Sequence, residues 1–172
     1  MDIVVRRLGP EDATAYRTLR LRGLREHPDA FTSSYEEDVH KPVEVLARRL
    51  QAGASADERV FGAFADGALV GVVGLIREGR AKNRHKATLV GMYVVRERSG
   101  RGIGRMLLEH ALADAREQPG LERIVLTVTH GNDGARRVYA HAGFETFGIE
   151  PMAIRVGDAC YGKEHMGLTL AP

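Results

Sequence analysis

The residues best suited to do chemistry form a glycine-rich run at positions 99–105, Ser-Gly-Arg-Gly-Ile-Gly-Arg. An apolar stretch at 89–95 precedes the run and predicts a strand, and residues 106–112 after it predict a helix. The first N–H groups of a helix have no partner within the helix, and its dipole favours anions there. Glycines let the backbone approach a ligand without a Cβ clash. We therefore predict a phosphate site at Gly100, Arg101, Gly102, Ile103, Gly104 and Arg105.

Arginines crowd the start of this predicted helix. Arg98, Arg101 and Arg105 lie where each cation costs about 0.3–1 kcal/mol. A bound anion would compensate for that cost. The alternative is a plain glycine turn with solvated arginines, and the run by itself leaves that alternative open.

Composition limits the class of protein. The chain has 172 residues, enough for a sizeable core, and we expect residues 1–172 to form one domain. A hydrophobic content of 44% and a charged content of 28% are typical of a soluble globular protein. The formal charge of +2 is too weak to indicate nucleic-acid binding. The seven histidines follow no metal-binding pattern, so we expect no metal site.

The single cysteine, Cys160, excludes an internal disulfide and favours a reducing, cytoplasmic setting. The N-terminus lacks the apolar region of a signal peptide. No apolar run approaches the ~18 residues that a membrane span requires. We therefore expect no membrane association.

Hydrophobic periodicity predicts the elements that must position the glycine run. An Asp-Gly pair at 66–67 predicts a tight hairpin between two strands. Residues 29–41 are expected to form a loop. Strands are predicted at 2–7, 59–65, 68–77, 87–95, 122–130, 144–150 and 160–170. Helices are predicted at 10–26, from Pro42 to Gly53, from the glycine run to about residue 117, and around Ala135, Val138, Tyr139 and Ala142.

This order of elements predicts a mixed α/β (α+β) fold on one twisted sheet. The strand–helix–strand unit from 87 to 130 should be a right-handed crossover with parallel strands. Ligands favour the carboxyl ends of such strands, and the glycine run lies at one of them.

The spacing of the glycines limits which classes of phosphate ligand the run could bind. A nucleoside triphosphate loop requires a Lys-Ser/Thr pair, which is missing here. A dinucleotide site requires Gly-x-Gly-x-x-Gly, whereas this run has Gly100-x-Gly102-x-Gly104. A pyrophosphate with a long non-nucleotide arm, as in coenzyme A, remains attractive.

Two motifs at the right separation resemble the GNAT superfamily of N-acetyltransferases. The first joins Val94-Val95 to the glycine run and to Leu107-Leu108. The second matches the pattern Asn-x-x-Ala-x-x-x-Tyr-x-x-x-Gly-Phe with Asn132, Ala135, Tyr139, Gly143 and Phe144. The resemblance implies a GNAT-like fold, with one central twisted, mostly antiparallel sheet, a splayed parallel strand pair and flanking helices. It also implies an acetyl-CoA-dependent N-acetyltransferase.

The resemblance also implies how the cofactor is held. Backbone amides of residues 100–105 would bind the pyrophosphate of acetyl-CoA. Main-chain groups of Met92, Tyr93 and Val94 would pair with the pantetheine arm, although ordinary strand pairing is the alternative. Asn132 would touch the same arm, and a helix N-cap is its alternative role.

The resemblance makes Tyr139 the general acid that protonates the departing thiolate, with a core tyrosine as the alternative. An alkylamine is mostly protonated at neutral pH, so a base or a water chain is needed. Thr127 stands where many relatives carry a glutamate, and it cannot act as a base. Replacement bases, each with a solvated surface role as the alternative, are Glu36, Glu37, His85, His130 and Glu145.

We therefore expect acetyl transfer by direct attack to a primary amine of a small molecule or a peptide. The alternative is a non-catalytic acyl-CoA-binding sensor, which the missing glutamate leaves open. A homodimer is common in the family and is expected to be possible here. The acceptor and the acyl-chain preference are not encoded in any readable motif.

Overall fold

The computed structural model describes residues 2–51 and 57–171. In these residues, five α-helices and seven strands follow one another in nearly the order that the periodicity predicts. The strands are β1 (Ile3–Arg7), β2 (Glu58–Ala65), β3 (Ala68–Arg77), β4 (Lys86–Val94), β5 (Arg123–Thr129), β6 (Glu145–Val156) and β7 (Ala159–Thr169). The helices are α1 (Ala13–Glu26), α2 (Tyr35–Val39), α3 (Val43–Leu50), α4 (Ile103–Arg116) and α5 (Asp133–His141). The helix end predicted at Gly53 lies outside the described residues.

The strands form one sheet in the order β1-β2-β3-β4-β5-β7-β6, and every neighbouring pair except β4 and β5 is antiparallel. The β2–β3 hairpin turns at Asp66 and Gly67, whose φ angles of 50° and 84° suit the tight turn that Asp-Gly favours. The expected mixed fold, with one mostly antiparallel sheet flanked by helices, is confirmed.

The parallel pair diverges along its length. Lys86–Thr88 of β4 pair with Arg123–Val125 of β5, and in the described chain the two strands share no further register. Both strands continue past that point, to Val94 and to Thr129. A gap therefore opens at the carboxyl end of the pair, where the sequence places the ligand site.

A β-bulge accompanies this gap. Val90 pairs with Gly74 and Tyr93 pairs with Val72, so that Gly91 and Met92 on β4 lie opposite the single residue Val73 on β3. Gly91 adopts a φ of 62°, a conformation that residues with a Cβ atom rarely adopt. Since a bulge bends the strand that carries it, β4 can turn away from β5 here.

Neighbouring residues on β7 show which segments cover each face of the sheet. Lys163 Nζ donates to the carbonyl of Asp29, just after α1, at 3.3 Å. The next residue, Glu164, accepts from Arg136 Nε of α5 at 2.9 Å. Successive strand side chains point to opposite faces, so the segment after α1 and α5 cover opposite faces. We call these the α1 face and the α5 face.

Two elements differ from the sequence prediction. The expected loop at 29–41 contains the five-residue helix α2, which Ser34 and Glu37 cap reciprocally. Strand β6, expected near 144–150, continues through Pro151 to Val156, with an irregular register between Glu150 and Ile154. Proline is tolerated there because β6 is an edge strand. Among the described residues, no helix combines the length and the apolar character needed to cross a membrane.

Candidate active site

The glycine run forms an open turn at the start of α4. Gly100 and Gly102 have φ angles of 74° and 76°, and Gly102 is the N-cap of the helix. The first helical bond runs from Met106 N–H to Gly102 O at 3.0 Å, so the N–H groups of residues 103–105 precede the helical ladder. A Cβ atom at Gly100, Gly102 or Gly104 would meet nothing within 4 Å. This open cradle of amides fits a pyrophosphate.

The arginines near the turn already have protein carboxylates close by. Arg105 Nε donates to Glu109 Oε1 at 2.7 Å, and Arg98 Nη2 lies 3.9 Å from Asp66 Oδ2. These carboxylates offset part of the positive charge of the arginines that crowd the start of the helix. The fit to a phosphate therefore depends mainly on the backbone and the glycines.

Main-chain groups of β4 face the gap. Val95 N–H donates to Val70 O at 2.9 Å, so the adjacent Val94 directs its own N–H and carbonyl away from β3. The Tyr93 hydroxyl donates to Glu26 Oε2 at 2.7 Å, and its ring packs against Gly23 of α1. Burial, together with the nearby Glu26 carboxylate, raises the pKa of Tyr93. Its side chain is therefore structural. By the same alternation, the N–H and carbonyl of Tyr93 face β3, where Tyr93 pairs with Val72, so the expected pairing of its main chain with a cofactor arm is not favoured.

A cleft of about 350 Å³ joins the gap to both faces of the sheet. Asn132 and Tyr139 line it from α5. Tyr16 and Arg20 line it from α1 on the opposite face. Val90 and Thr127 lie between them, on the two diverging strands. The cleft can therefore admit a long cofactor arm from one face and a second molecule from the other.

Tyr139 is both a core residue and a cleft residue. Its side chain is 7% exposed, and its ring meets Phe144 edge-on with centroids 6.0 Å apart. Burial raises the pKa of Tyr139 to about 12. The phenol therefore stays protonated at neutral pH and can donate a hydrogen bond into the cleft.

Asn132 caps α5 and also lines the cleft. Its Oδ1 accepts from Ala135 N–H at 3.3 Å, which is the N-cap role expected as an alternative. The cap fixes the amide at the mouth of the cleft. The capping role therefore leaves room for a contact with the cofactor as well.

Charged pairs from distant parts of the chain meet on the α1 face. Arg20 of α1 and Lys41 both donate to Asp38, and the distance from Lys41 Nζ to Asp38 Oδ1 is 2.6 Å. Burial favours the neutral acid, but these hydrogen bonds outweigh it and hold the pKa of Asp38 below its usual range. Beside them, Arg49 makes a bidentate pair with Glu58, and both residues line the cleft. Sequence spacing gave no signal for this grouping.

The replacement bases considered from sequence lie outside the lining of this cleft. Glu37 is engaged in capping α2, where its Oε2 accepts from Ser34 N–H at 2.8 Å. His85 precedes β4 at the end opposite the gap. Glu36, His130 and Glu145 are exposed. Thr127, in contrast, does line the cleft.

No group of three or more His, Cys, Asp or Glu side chains in the described chain could hold a metal ion. The available cations are largely committed to structure. Arg136 is held by Glu164, and Arg84 pairs with Asp57 at 2.8 Å. The site therefore presents backbone amides, a phenol and paired charges.

Residues 22–144 match the model of the acetyltransferase (GNAT) family. The match covers more than two thirds of the chain, which therefore belongs to this family.

Individual relatives agree with this membership. N-alpha-acetyltransferase 40 of Saccharomyces cerevisiae is 38% identical over 97 residues, which are 51% of this chain and 34% of that protein. Streptothricin acetyltransferase of Streptomyces lavendulae is 32% identical over 119 residues, 69% of this chain and 60% of that protein. The chain thus spans about a third to three fifths of the length of these relatives.

The fold also matches YncA from Salmonella typhimurium, whose structure was solved with its cofactor acetyl-CoA. The TM-score is 0.86 at 18% identity, over 100% of this chain and 96% of that chain. At this level of identity the match establishes the fold.

Proposed function

We propose that the protein transfers an acetyl group from acetyl-CoA to a primary amine of a small molecule or a peptide, by direct attack of the amine on the thioester. The observation that carries this proposal is the cleft where β4 and β5 part, which is lined by Asn132 and Tyr139 on the α5 face and by Tyr16 and Arg20 on the α1 face. Family membership supports it, and so does the acetyl-CoA bound to YncA.

In this proposal the backbone holds the cofactor. Amides of residues 100–105 bind the pyrophosphate, and main-chain groups of Met92 and Val94 pair with the pantetheine arm in place of a strand. Asn132 contacts the same arm. The acetyl group then lies in the gap, where the N–H of Met92 stabilises the tetrahedral oxyanion.

Tyr139 assists the departure of the thiolate. Full proton transfer from a phenol with a pKa of about 12 to a thiolate resembling cysteine's, with a pKa of ~8.5, is uphill by about 5 kcal/mol. The phenol therefore acts first as a hydrogen-bond donor that stabilises the developing negative charge on sulfur. The proton released by the amine makes the complete transfer favourable.

The proposal includes the cellular compartment and the oligomeric state of the protein. The free, exposed Cys160 suits a reducing, cytoplasmic compartment. A homodimer stays a prediction from the family. The acceptor meets the charged pairs Arg20–Asp38 and Arg49–Glu58, so polar amines are the first to test.

The test is release of free thiol from acetyl-CoA, followed with a panel of small amines and peptides. The proposal expects saturable turnover with at least one amine, and a mass increase of one acetyl group on that acceptor. Saturable acetyl-CoA binding with no turnover on any amine would instead favour the non-catalytic sensor.

A further inference from the structure

We propose that His165, oriented by Glu150, is the general base that removes a proton from the acceptor amine. This inference depends on the proposed acetyl transfer. It supplies the base that Thr127 cannot provide.

His165 lies directly beside Thr127. The two residues are opposite partners in the antiparallel β5–β7 pair, so their side chains share one face with Cβ atoms about 4.5–5.5 Å apart. That face is the α1 face, since Lys163 lies two residues before His165 on the same strand. Thr127 itself lines the cleft. His165 is not itself a lining residue of the cleft. Its imidazole lies next to the lining residue Thr127, on the face from which an acceptor enters.

Glu150 fixes the imidazole. Its Oε2 lies 3.1 Å from His165 Nε2, and the ring of Phe147 lies 5.8 Å from the imidazole between centroids. An ionised Glu150 favours the tautomer with hydrogen on Nε2, because that nitrogen then donates to it. The Nδ1 lone pair is then left to accept a proton, while Nε2 keeps its contact with Glu150.

Other charged groups near His165 are engaged elsewhere. Lys163 Nζ donates to the carbonyls of Asp29 and Ala30 and to Thr129 Oγ1, so its ammonium group is directed to these acceptors. Arg123 lies over the Phe147 ring, 5.6 Å from its centroid. Glu145 of β6, which pairs with Gly167 of β7, is exposed. None of these displaces Glu150 from the imidazole.

The carboxylate of Glu58, which also lines the cleft, is the main competitor for the role of base. Both of its oxygens accept hydrogen bonds from Arg49. The Arg49 guanidinium therefore occupies both oxygens of this carboxylate, and an acceptor ammonium would have to compete with it. The imidazole of His165 keeps one nitrogen outside its carboxylate pair and is therefore the better candidate.

The proton balance of the reaction follows directly. His165 takes one proton from the ammonium, and the neutral amine nitrogen forms a bond to the thioester carbon. Collapse of the tetrahedral intermediate breaks the carbon–sulfur bond. The second amine proton ends on the CoA thiolate through the Tyr139 hydrogen bond, and His165 returns its proton to solvent.

The test compares two amine probes of different basicity near neutral pH: ethylamine, which is mostly protonated, and hydroxylamine, which is mostly neutral. The His165→Gln variant should lower kcat/KM for ethylamine by about 100-fold or more and for hydroxylamine by less than about threefold, because a neutral amine needs no base. His85→Gln, a change at an exposed histidine away from the gap, is the matched control and should change neither value. Glu150→Gln should give a smaller loss with the same preference for ethylamine.

Acetyl-CoA affinity, measured by calorimetry, should be unchanged in His165→Gln and shows that the fold is intact. Equal losses with both probes would indicate a merely structural role and would overturn the inference, as would an unchanged ethylamine rate. A basicity-dependent loss in Glu58→Gln instead of His165→Gln would also overturn it. Where the wild-type protein acetylates neither probe, the same comparison is made with two acceptors from the amine panel that differ in basicity. A wild-type protein that acetylates no amine of the panel would overturn the proposed function itself, and this inference with it.

Discussion

Tyr139 shows how one residue can satisfy two demands. Its place on an apolar helical face indicates a core residue, and its place in the Asn-x-x-Ala-x-x-x-Tyr motif suggests an acid. The structure buries the ring against Phe144 while leaving it in the lining of the cleft. Burial penalises the phenolate and so raises the pKa of this phenol, which is protonated at neutral pH, still further.

At this scale the direct prediction is for Tyr139→Phe. The change removes the hydroxyl and keeps the ring, so the packing with Phe144 is retained. We expect kcat to fall by about 100-fold or more, since general acid catalysis contributes on that order. Thiol release under saturating substrates measures this, with acetyl-CoA affinity expected to stay within about twofold of the wild type. An unchanged kcat would remove Tyr139 from the mechanism.

At the scale of elements, turn, capping and periodicity signals in the sequence predict most helices and strands. They do not predict which side chains of different elements come into contact. The Asp66-Gly67 turn was predictable because its backbone needs two positive φ angles. Helix α2 was missed, although Ser34 and Glu37 carry the capping-box spacing that signals it. The bulge also had a signal, since an isolated glycine inside a strand, here Gly91, often marks one.

The residues of the candidate site likewise fall into those that the sequence predicts and those that only the folded structure brings together. The glycine turn, Asn132 and Tyr139 belong to contiguous motifs, so the sequence predicts them. The pairs Arg20–Asp38 and His165–Glu150 join different elements. Their contacts depend on tertiary packing and strand register, which a single sequence does not specify.

The glycine turn provides a prediction with a matched control. Gly102→Ala places a Cβ at a φ of 76°, and Gly67→Ala does the same at 84° in the β2–β3 hairpin; each Cβ would meet nothing within 4 Å. Both variants should lose about 1–2 kcal/mol of unfolding free energy from backbone strain. Gly102→Ala alone should weaken acetyl-CoA binding, by about tenfold or more, an energy of at least about 1.4 kcal/mol.

Thermal unfolding and calorimetry together check this pair of variants. Equal acetyl-CoA affinities in the two would show that the turn does not bind the pyrophosphate.

For the molecule as a whole, buried carboxylates connect the segments that surround the cleft. Asp12 accepts from both terminal nitrogens of Arg6, at 2.7 and 2.8 Å, and ties β1 to the start of α1. Asp38 of α2 pairs with Arg20 and so ties α2 to α1, and it also pairs with Lys41 just after α2. The hydrogen bond from Arg6 lowers the pKa of Asp12, and the hydrogen bonds at Asp38 outweigh burial to lower its pKa too.

These shifts predict loss of stability in acid. A carboxyl group whose pKa is lower in the folded state contributes stability above the unfolded value of ~3.9 and loses it as pH falls through the folded value. We expect unfolding free energy to decline below about pH 4, and the decline to be shallower in Asp38→Asn. At neutral pH that variant should lose about 1.5–3 kcal/mol, as expected for hydrogen bonds to a charged group.

Denaturant titrations across pH measure both effects. Asp158→Asn, in the exposed β6–β7 turn, is the control and should match the wild type at every pH. An acid decline of the same steepness in Asp38→Asn and the wild type would rule out the contribution of Asp38.

The most direct measurement is a crystal structure of the protein soaked with acetyl-CoA. We predict the pyrophosphate against the amides of residues 100–105, the pantetheine arm in the gap between β4 and β5, and the thioester sulfur within hydrogen-bonding distance of the Tyr139 hydroxyl. A cofactor bound elsewhere, or a gap filled by side chains while acetyl-CoA is present, would contradict the proposed site.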